Sequence, residues 1–311
     1  MRGSTVYQVQ QVFEAVNEIG HSKHQAKESA RGQGAKTWHQ IGKQIGIYSY
    51  GTADAYRDVW RSCLEFSKEN LGNKDIEKLS GAAVRAFLDS KIDEGIAHST
   101  FGQYSAACEK LEVALNRYAA PQHSNQMYSF SAAIQASRNA ATNLERFDDS
   151  RAYFNPGELA HAVKGEQYFL AAAMQRESGA RVSEVNHVSL AQLRGLREDC
   201  HAGGMKGWVH VVGKGGKERE IGLSPQTYGR LQTVVQLSRF EFDKDGYRQA
   251  LKDAASLSEQ DYQGSHGLRW SWAQERHAQL QAHGMTYDQS LSEISHEMGH
   301  ERGDITEHYL R

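Results

Sequence analysis

The residues best suited to chemistry in this 311-residue chain fall in its second half, in four clusters. The first is Ser178-Gly179-Ala180-Arg181-Val182-Ser183-Glu184-Val185. A Gly-Ala-Arg step between two helical stretches can aim a guanidinium out of a helix N-terminus, with Glu184 one turn on; taken alone, it reads as an ordinary surface arginine with a helical glutamate partner. The second is Gly213-Lys214-Gly215-Gly216-Lys217, followed by Arg219. Its glycines let a lysine reach a phosphate, or simply make a solvated basic turn. It is not a P-loop, because no Ser or Thr follows the lysine and the chain runs on into a strand pattern. The third is His266-Gly267-Leu268-Arg269-Trp270, where His and Arg three apart share a helical face and can address one anionic group. The fourth is the tail from Ile294 to Arg311. Within it, His296-Glu297-x-x-His300 has the spacing of a zinc peptidase, two imidazoles with a glutamate as general base. Against that, Thr306 stands where the longer zinc pattern places its third histidine, and Gly299 breaks the helix the metal geometry needs.

The elements that must position these clusters are mostly helices. Tyr56, Val59, Trp60, Cys63 and Phe66 recur at helical spacing from Asp54, and the run stops at Asn70-Leu71-Gly72. Ser80 is an N-cap for a helix carrying Val84, Phe87, Leu88 and Ile92, with Gly95 as its stop. A third helix starts near Ser99 and ends before Pro121; a fourth covers about Phe130 to Leu144. Amphipathic segments near Val6–Ile19 and Thr37–Tyr48 fit the same bundle. A polar stretch at Phe147–Arg151 marks a boundary, after which Asn155-Pro156 with Glu158 starts a helix. Another helix runs from about Glu166 to Glu177 and meets Gly179. Then Trp208–Val212 and Glu218–Leu223 alternate with period two, a hairpin around the glycine-rich turn. Helical patterns resume from Ser224.

Bulk composition excludes more than it assigns. With 39% hydrophobic and 24% charged residues the chain can bury a core, and its length suits about two domains. Three widely separated cysteines argue against a disulfide framework and for a reducing compartment. There is no apolar run of membrane-spanning length and no signal-peptide h-region near the N-terminus. The net charge is −2, so bulk charge does not favour a nucleic-acid partner, although residues 1–50 hold six Lys/Arg against three Asp/Glu.

Taken in order, Arg181, Lys214, His266, Arg269, His300 and Tyr309 form a set that resembles the tyrosine recombinase (phage integrase) family, of the mobile-element integrase type. The resemblance runs from about Gly179 to Arg311 through "ARVSEV", "VVGKGGKEREIGL", "HGLRW" and "ISHEMGHERGDITEHYL". The nine-residue step from His300 to Tyr309 makes the ordered set specific. It implies a mainly α fold with a small antiparallel β-sheet. A helical core-binding domain would span 1–148, where 1–40 could be an N-terminal extension, and a catalytic domain 149–311.

By the same resemblance, Tyr309 is the nucleophile that forms a 3′-phosphotyrosyl link and releases a 5′-hydroxyl. Arg181 and Arg269 hold the non-bridging oxygens, a task to which planar, permanently charged forks are suited. A phenol with a free pKa of about 10 needs help to attack, and His266 would take its proton. His300 would hydrogen-bond a phosphate oxygen, and Lys214 would protonate the leaving 5′-oxygen, with Lys217 as rival. Glu184 would brace Arg181, and Lys217 and Arg219 would touch DNA. No cofactor or metal is implied. The partners implied are double-stranded DNA with inverted-repeat half-sites, a homo-tetramer on that DNA, and accessory DNA-bending or directionality proteins, in the bacterial cytoplasm or nucleoid and away from membranes.

Some features depart from the family pattern. Trp270 replaces a common second histidine, Met298 replaces a leucine, and Ala282–Thr286 reads as an inserted loop. The sequence given also ends two residues after Tyr309, where many relatives continue into a helix that couples subunits. A type IB topoisomerase, a zinc peptidase and a non-catalytic DNA-binding regulator remain the alternative readings.

Overall fold

A computed structural model describes residues 1–122, 126–146, 149–213, 216–300 and 303–311. The chain divides into two compact units, Met1–Asp148 and Asp149–Arg311. Among the described residues, no helix is long and apolar enough to cross a membrane.

The first unit is helical throughout. Helices α1 (Thr5–Glu14), α2 (Lys23–Gly32) and α3 (Trp38–Gln44) precede the long α4 (Tyr50–Leu71). Then come α5 (Gly81–Asp93), α6 (His98–Ala119) and α7 (Ser131–Ala140). Serine and threonine caps set most of the starts: Ser49 begins α4 and Ser80 begins α5, each side chain accepting an N3 amide. α4 and α6 approach closely because α6 offers Ala107 and Ala114, and Trp60 fills the gap with its indole donating to Ala107 O at 2.8 Å. α7 has no capping side chain of its own; buried Glu112 of α6 accepts the amides of Phe130 and Ser131 instead. Val9, Val12 and Phe13 of α1 lie in the same core as Trp60 and Phe87. α2 and α3 close a smaller cluster around Ala30, Ala35, Ile41 and Ile45.

The second unit carries helices α8 (Pro156–Ala162), α9 (Glu166–Ser178) and the short α10 (Val182–Val185) ahead of its sheets. Strands β2 (Leu193–Glu198), β3 (Met205–Val212) and β4 (Glu218–Leu223) form an antiparallel meander in the order β2-β3-β4. β1 (His187–Val188) pairs separately with β5 (Phe240–Glu241). Helices α11 (Pro225–Leu237), α12 (Lys244–Leu257), α13 (Gly264–Ala282), α14 (Tyr287–Glu297) and α15 (Gly303–Glu307) complete the unit. In the hairpin, Val212 faces Glu218 and Gly207 faces Leu223, so Val209, Val211, Ile221 and Leu223 turn inward onto the helices. Residues 283–286, expected as part of an inserted loop, form the turn from α13 to α14, with Thr286 as the next N-cap.

Candidate active site

Each element delivers its functional side chain for a local reason. Gly179 ends α9 with φ at +62°, and a Cβ there would lie 2.3 Å from the Trp272 ring, so only glycine fits. Its carbonyl and that of Ala180 are both claimed, Gly179 O by Arg269 Nη1 and Ala180 O by Gln175 Nε2 at 2.8 Å. The rigid turn then presents Arg181 as the N-cap of α10. Gly179→Ala should destabilise the protein by about 2–4 kcal/mol, combining left-handed strain with overpacking. A urea midpoint equal to that of the parent would refute this.

Glu184 joins two arginines. It accepts from Arg181 N at 2.6 Å and Arg181 Nη1 at 3.0 Å. Arg219 meets it as a bidentate fork, at 2.6 and 2.8 Å, and also gives Nε to Glu297 O at 2.9 Å. Burial alone would raise the Glu184 carboxyl, but Arg219 and then Arg181 outweigh it and hold the group at about 2. Arg219 was expected on DNA and is placed otherwise: its fork is turned inward, opposite Val211 in the hairpin, and its donors are spent on protein acceptors.

α13 carries His266 and Arg269 on one face, as their spacing requires. Arg269 is fully buried and donates to Gly179 O, to Met298 O at 2.8 Å and to His300 Nε2 at 3.1 Å. Its Nε has no partner among the described residues, which leaves a donor unspent inside the site. Burial and the nearby Arg181 charge lower its pKa to about 10, still charged at neutral pH. Glu297 O and Met298 O, at the C-terminal end of α14, thus each meet a guanidinium, which suits the negative end of the helix dipole.

Tyr309 sits in the single turn that follows α15 and is largely buried. Its hydroxyl lies 2.9 Å from His266 Nε2. Its ring is flanked by His266, Trp270 and His300 at centroid distances of 5.5, 5.1 and 5.5 Å, and Arg269 stands 5.7 Å from its centre. Gln274, two turns beyond His266 on α13, holds the same segment by donating to Tyr309 O at 3.2 Å. Arg181, His266, Arg269, His300 and Tyr309 therefore converge, and the Arg181 charge acts on both histidines and on Arg269. Lys214 lies outside the described residues. Lys217 is described, and its charge also acts on His300.

Burial, then Arg269, Arg151 and Arg181, lower the His266 pKa to about 4; burial, then Arg269, Arg181, Arg219 and Lys217, lower that of His300 to about 3. Both imidazoles are neutral at physiological pH. Because these folded-state values lie below the ordinary 6.5, the unfolded chain takes up protons first on acidification. Stability should be whole above about pH 6.5 and decline as pH falls toward 4 for His266 and 3 for His300. Thermal midpoints measured between pH 7 and 4.5 test this, and the slope should flatten in His266→Gln.

The zinc reading fails on its donor set. α14 ends at Glu297, and Gly299 turns left-handed at φ +68°, so His296 and His300 are not on one continuous helix. The Glu297 carboxylate is held by Arg276 Nε and Nη2, and His300 Nε2 faces a guanidinium. Arg276 in turn pairs with buried Asp199, which Lys206 also meets at 2.8 Å, so Glu297 belongs to an ion network tying α13 and α14 to the sheet. No cluster of three or more metal-ligating side chains occurs among the described residues.

Sequence reasoning missed Gln274, Thr306 and the inward role of Arg219. Helical period marks Gln274, which shares its face with His266 and Trp270. Strand parity marks Arg219, which alternates in step with Ile221 and Leu223.

The helical first unit and the meander flanked by helices in the second have the fold seen in solved tyrosine recombinases. Among solved structures, the chain is similar to the XerH site-specific recombinase bound to its palindromic difH substrate in a post-cleavage complex: 14% identity, TM-score 0.61, covering 100% of this chain and 94% of that one. It is also similar to the Tn1549 transposon integrase in complex with circular intermediate DNA, at 12% identity and TM-score 0.53, covering 98% and 95%. The sequence matches no protein-family model and no curated protein.

Proposed function

We propose that this chain is a site-specific DNA recombinase that cuts and rejoins DNA through a 3′-phosphotyrosine. The observation that carries this reading is the Tyr309–His266 contact at 2.9 Å beside Arg269, which keeps an unspent buried donor. A neutral imidazole can accept the phenol proton as Tyr309 Oη attacks phosphorus. The P–O bond to the 5′-oxygen breaks, and that oxygen takes a proton from Lys214 or Lys217. Arg181 and Arg269 face the charge that grows on the non-bridging oxygens. The covalent link conserves the phosphodiester's energy, so a second 5′-hydroxyl can reverse the attack without ATP. Exchange between two duplexes needs four such sites, and a tetramer on inverted half-sites supplies them. The neighbours' DNA complexes support DNA as the partner, and the three unpaired cysteines suit a reducing cytoplasm.

The test is a nicked suicide duplex carrying the element's attachment site, incubated with the protein in EDTA. A denaturation-resistant protein–DNA adduct supports the reading; bound DNA with no adduct sinks it.

A further inference from the structure

His300 is held through both ring nitrogens. Nε2 lies 3.1 Å from Arg269 Nη2, and Nδ1 lies 2.8 Å from Thr306 Oγ1. Guanidinium nitrogens only donate, so Nε2 must accept and the single proton of the neutral ring must sit on Nδ1, directed at Thr306. Thr306 is fully buried, and its Oγ1 is also 2.7 Å from Ser295 Oγ of α14, where either oxygen could be the donor. None of the steps proposed above uses either hydroxyl.

A phosphate imposes the opposite requirement. Its oxygens only accept, so a neutral His300 can bond one through Nε2 only when the proton is there. Nδ1 is then a bare acceptor, and the buried group beside it must donate. A hydroxyl can do both, whereas a carbonyl or a methyl cannot.

We propose that Ser295 and Thr306 form a reversible hydroxyl relay that keeps His300 protonated on Nδ1 in the empty site and on Nε2 when a DNA phosphate occupies it. This rests on the phosphodiester reading above. One proton leaves Nδ1 for solvent and one is taken from solvent at Nε2, so the ring gains no charge. Thr306 rotates from accepting to donating, Ser295 donates to Thr306 in its place, and Arg269 Nη2 turns the donor it gave Nε2 toward the phosphate. Thr306 touches His300 and not the phosphate, so it is a positioning residue. It lies three residues before Tyr309, so the segment that carries the nucleophile also sets the state of the histidine.

The test compares Thr306→Val, which keeps the shape and loses the hydroxyl, with Thr306→Ser, which keeps it. Adduct formation on the suicide duplex should slow roughly ten- to a hundredfold in the Val variant, the range seen for outer partners that orient a functional histidine, with DNA affinity unchanged. The Ser variant should recover to within a few-fold of the parent. Independently, long-range 1H–15N spectra of the Tyr309→Phe protein should show His300 protonated at Nδ1 alone and at Nε2 with the duplex bound. The same tautomer in both states, or a folded Val variant that cleaves at the parental rate, overturns the relay. If the Val variant does not fold, the spectra decide the matter, since they leave Thr306 intact. A parent protein that forms no adduct sinks the recombinase reading instead, so the two failures are distinguishable.

Discussion

Tyr309→Phe should bind the target duplex as the parent does and give no covalent adduct. The substitution removes one oxygen and keeps the ring, whose packing against His266, Trp270 and His300 holds the tail in place. Among the described residues the phenol's side-chain hydrogen bond is to His266 Nε2 at 2.9 Å, and losing a bond between neutral groups costs about 1 kcal/mol. Fold and DNA affinity should therefore survive, while the oxygen proposed to attack is gone. Adduct would fall to background on the suicide duplex, and a mobility-shift titration would superimpose on that of the parent. A Phe variant that still cleaves would mean that another group is the nucleophile.

The second large effect separates the two arginines. Arg181→Ala and Arg269→Ala should each slow cleavage by roughly 10²- to 10³-fold, the scale for losing one donor to a developing oxyanion. Their stabilities should differ sharply. The Arg181 side chain is a quarter exposed and, among the described residues, makes one side-chain bond, to a carboxylate that Arg219 continues to hold. Its loss should cost about 1 kcal/mol or less. Arg269 is wholly buried, and its removal strands Gly179 O, Met298 O and His300 Nε2 together, which should cost more than about 3 kcal/mol. Single-turnover cleavage and urea unfolding on both variants check the pair. An Arg181→Ala protein that cleaves bound DNA at nearly the parental rate would remove Arg181 from the chemistry.

How much of this was legible in the sequence depended on whether the signal was local. Ser80, Asn155-Pro156 and Gly179 act within one turn, and each cap stands where its chemistry predicts. β3 and β4 alternate because one face is buried. β2 escaped notice because its residues are mostly exposed, so no period-two contrast exists to be read. α2 escaped for the related reason that its buried set is Ala30 alone. Within the site, the spacing of His266 and Arg269 was readable because helix geometry fixes it, and the step from His300 to Tyr309 because it belongs to the pattern that carries the family resemblance. The partners of Glu297 were not: Arg276 lies 21 residues away, and the sequence gives no sign that the pair closes. An HExxH spelling therefore looked like metal chemistry when its glutamate serves an ion network.

The guanidiniums at the end of α14 also bear on how the molecule can come apart. Opening the last turn of α14 would withdraw a carbonyl from the part-buried Arg219 and another from the buried Arg269 at once. The end of α14 is therefore tied to α13 and to the hairpin through its main-chain acceptors. Its opening should be coupled to theirs. Losing that turn would disturb Arg219 and Arg269 together, the guanidinium that holds Glu184 and the one that faces His300.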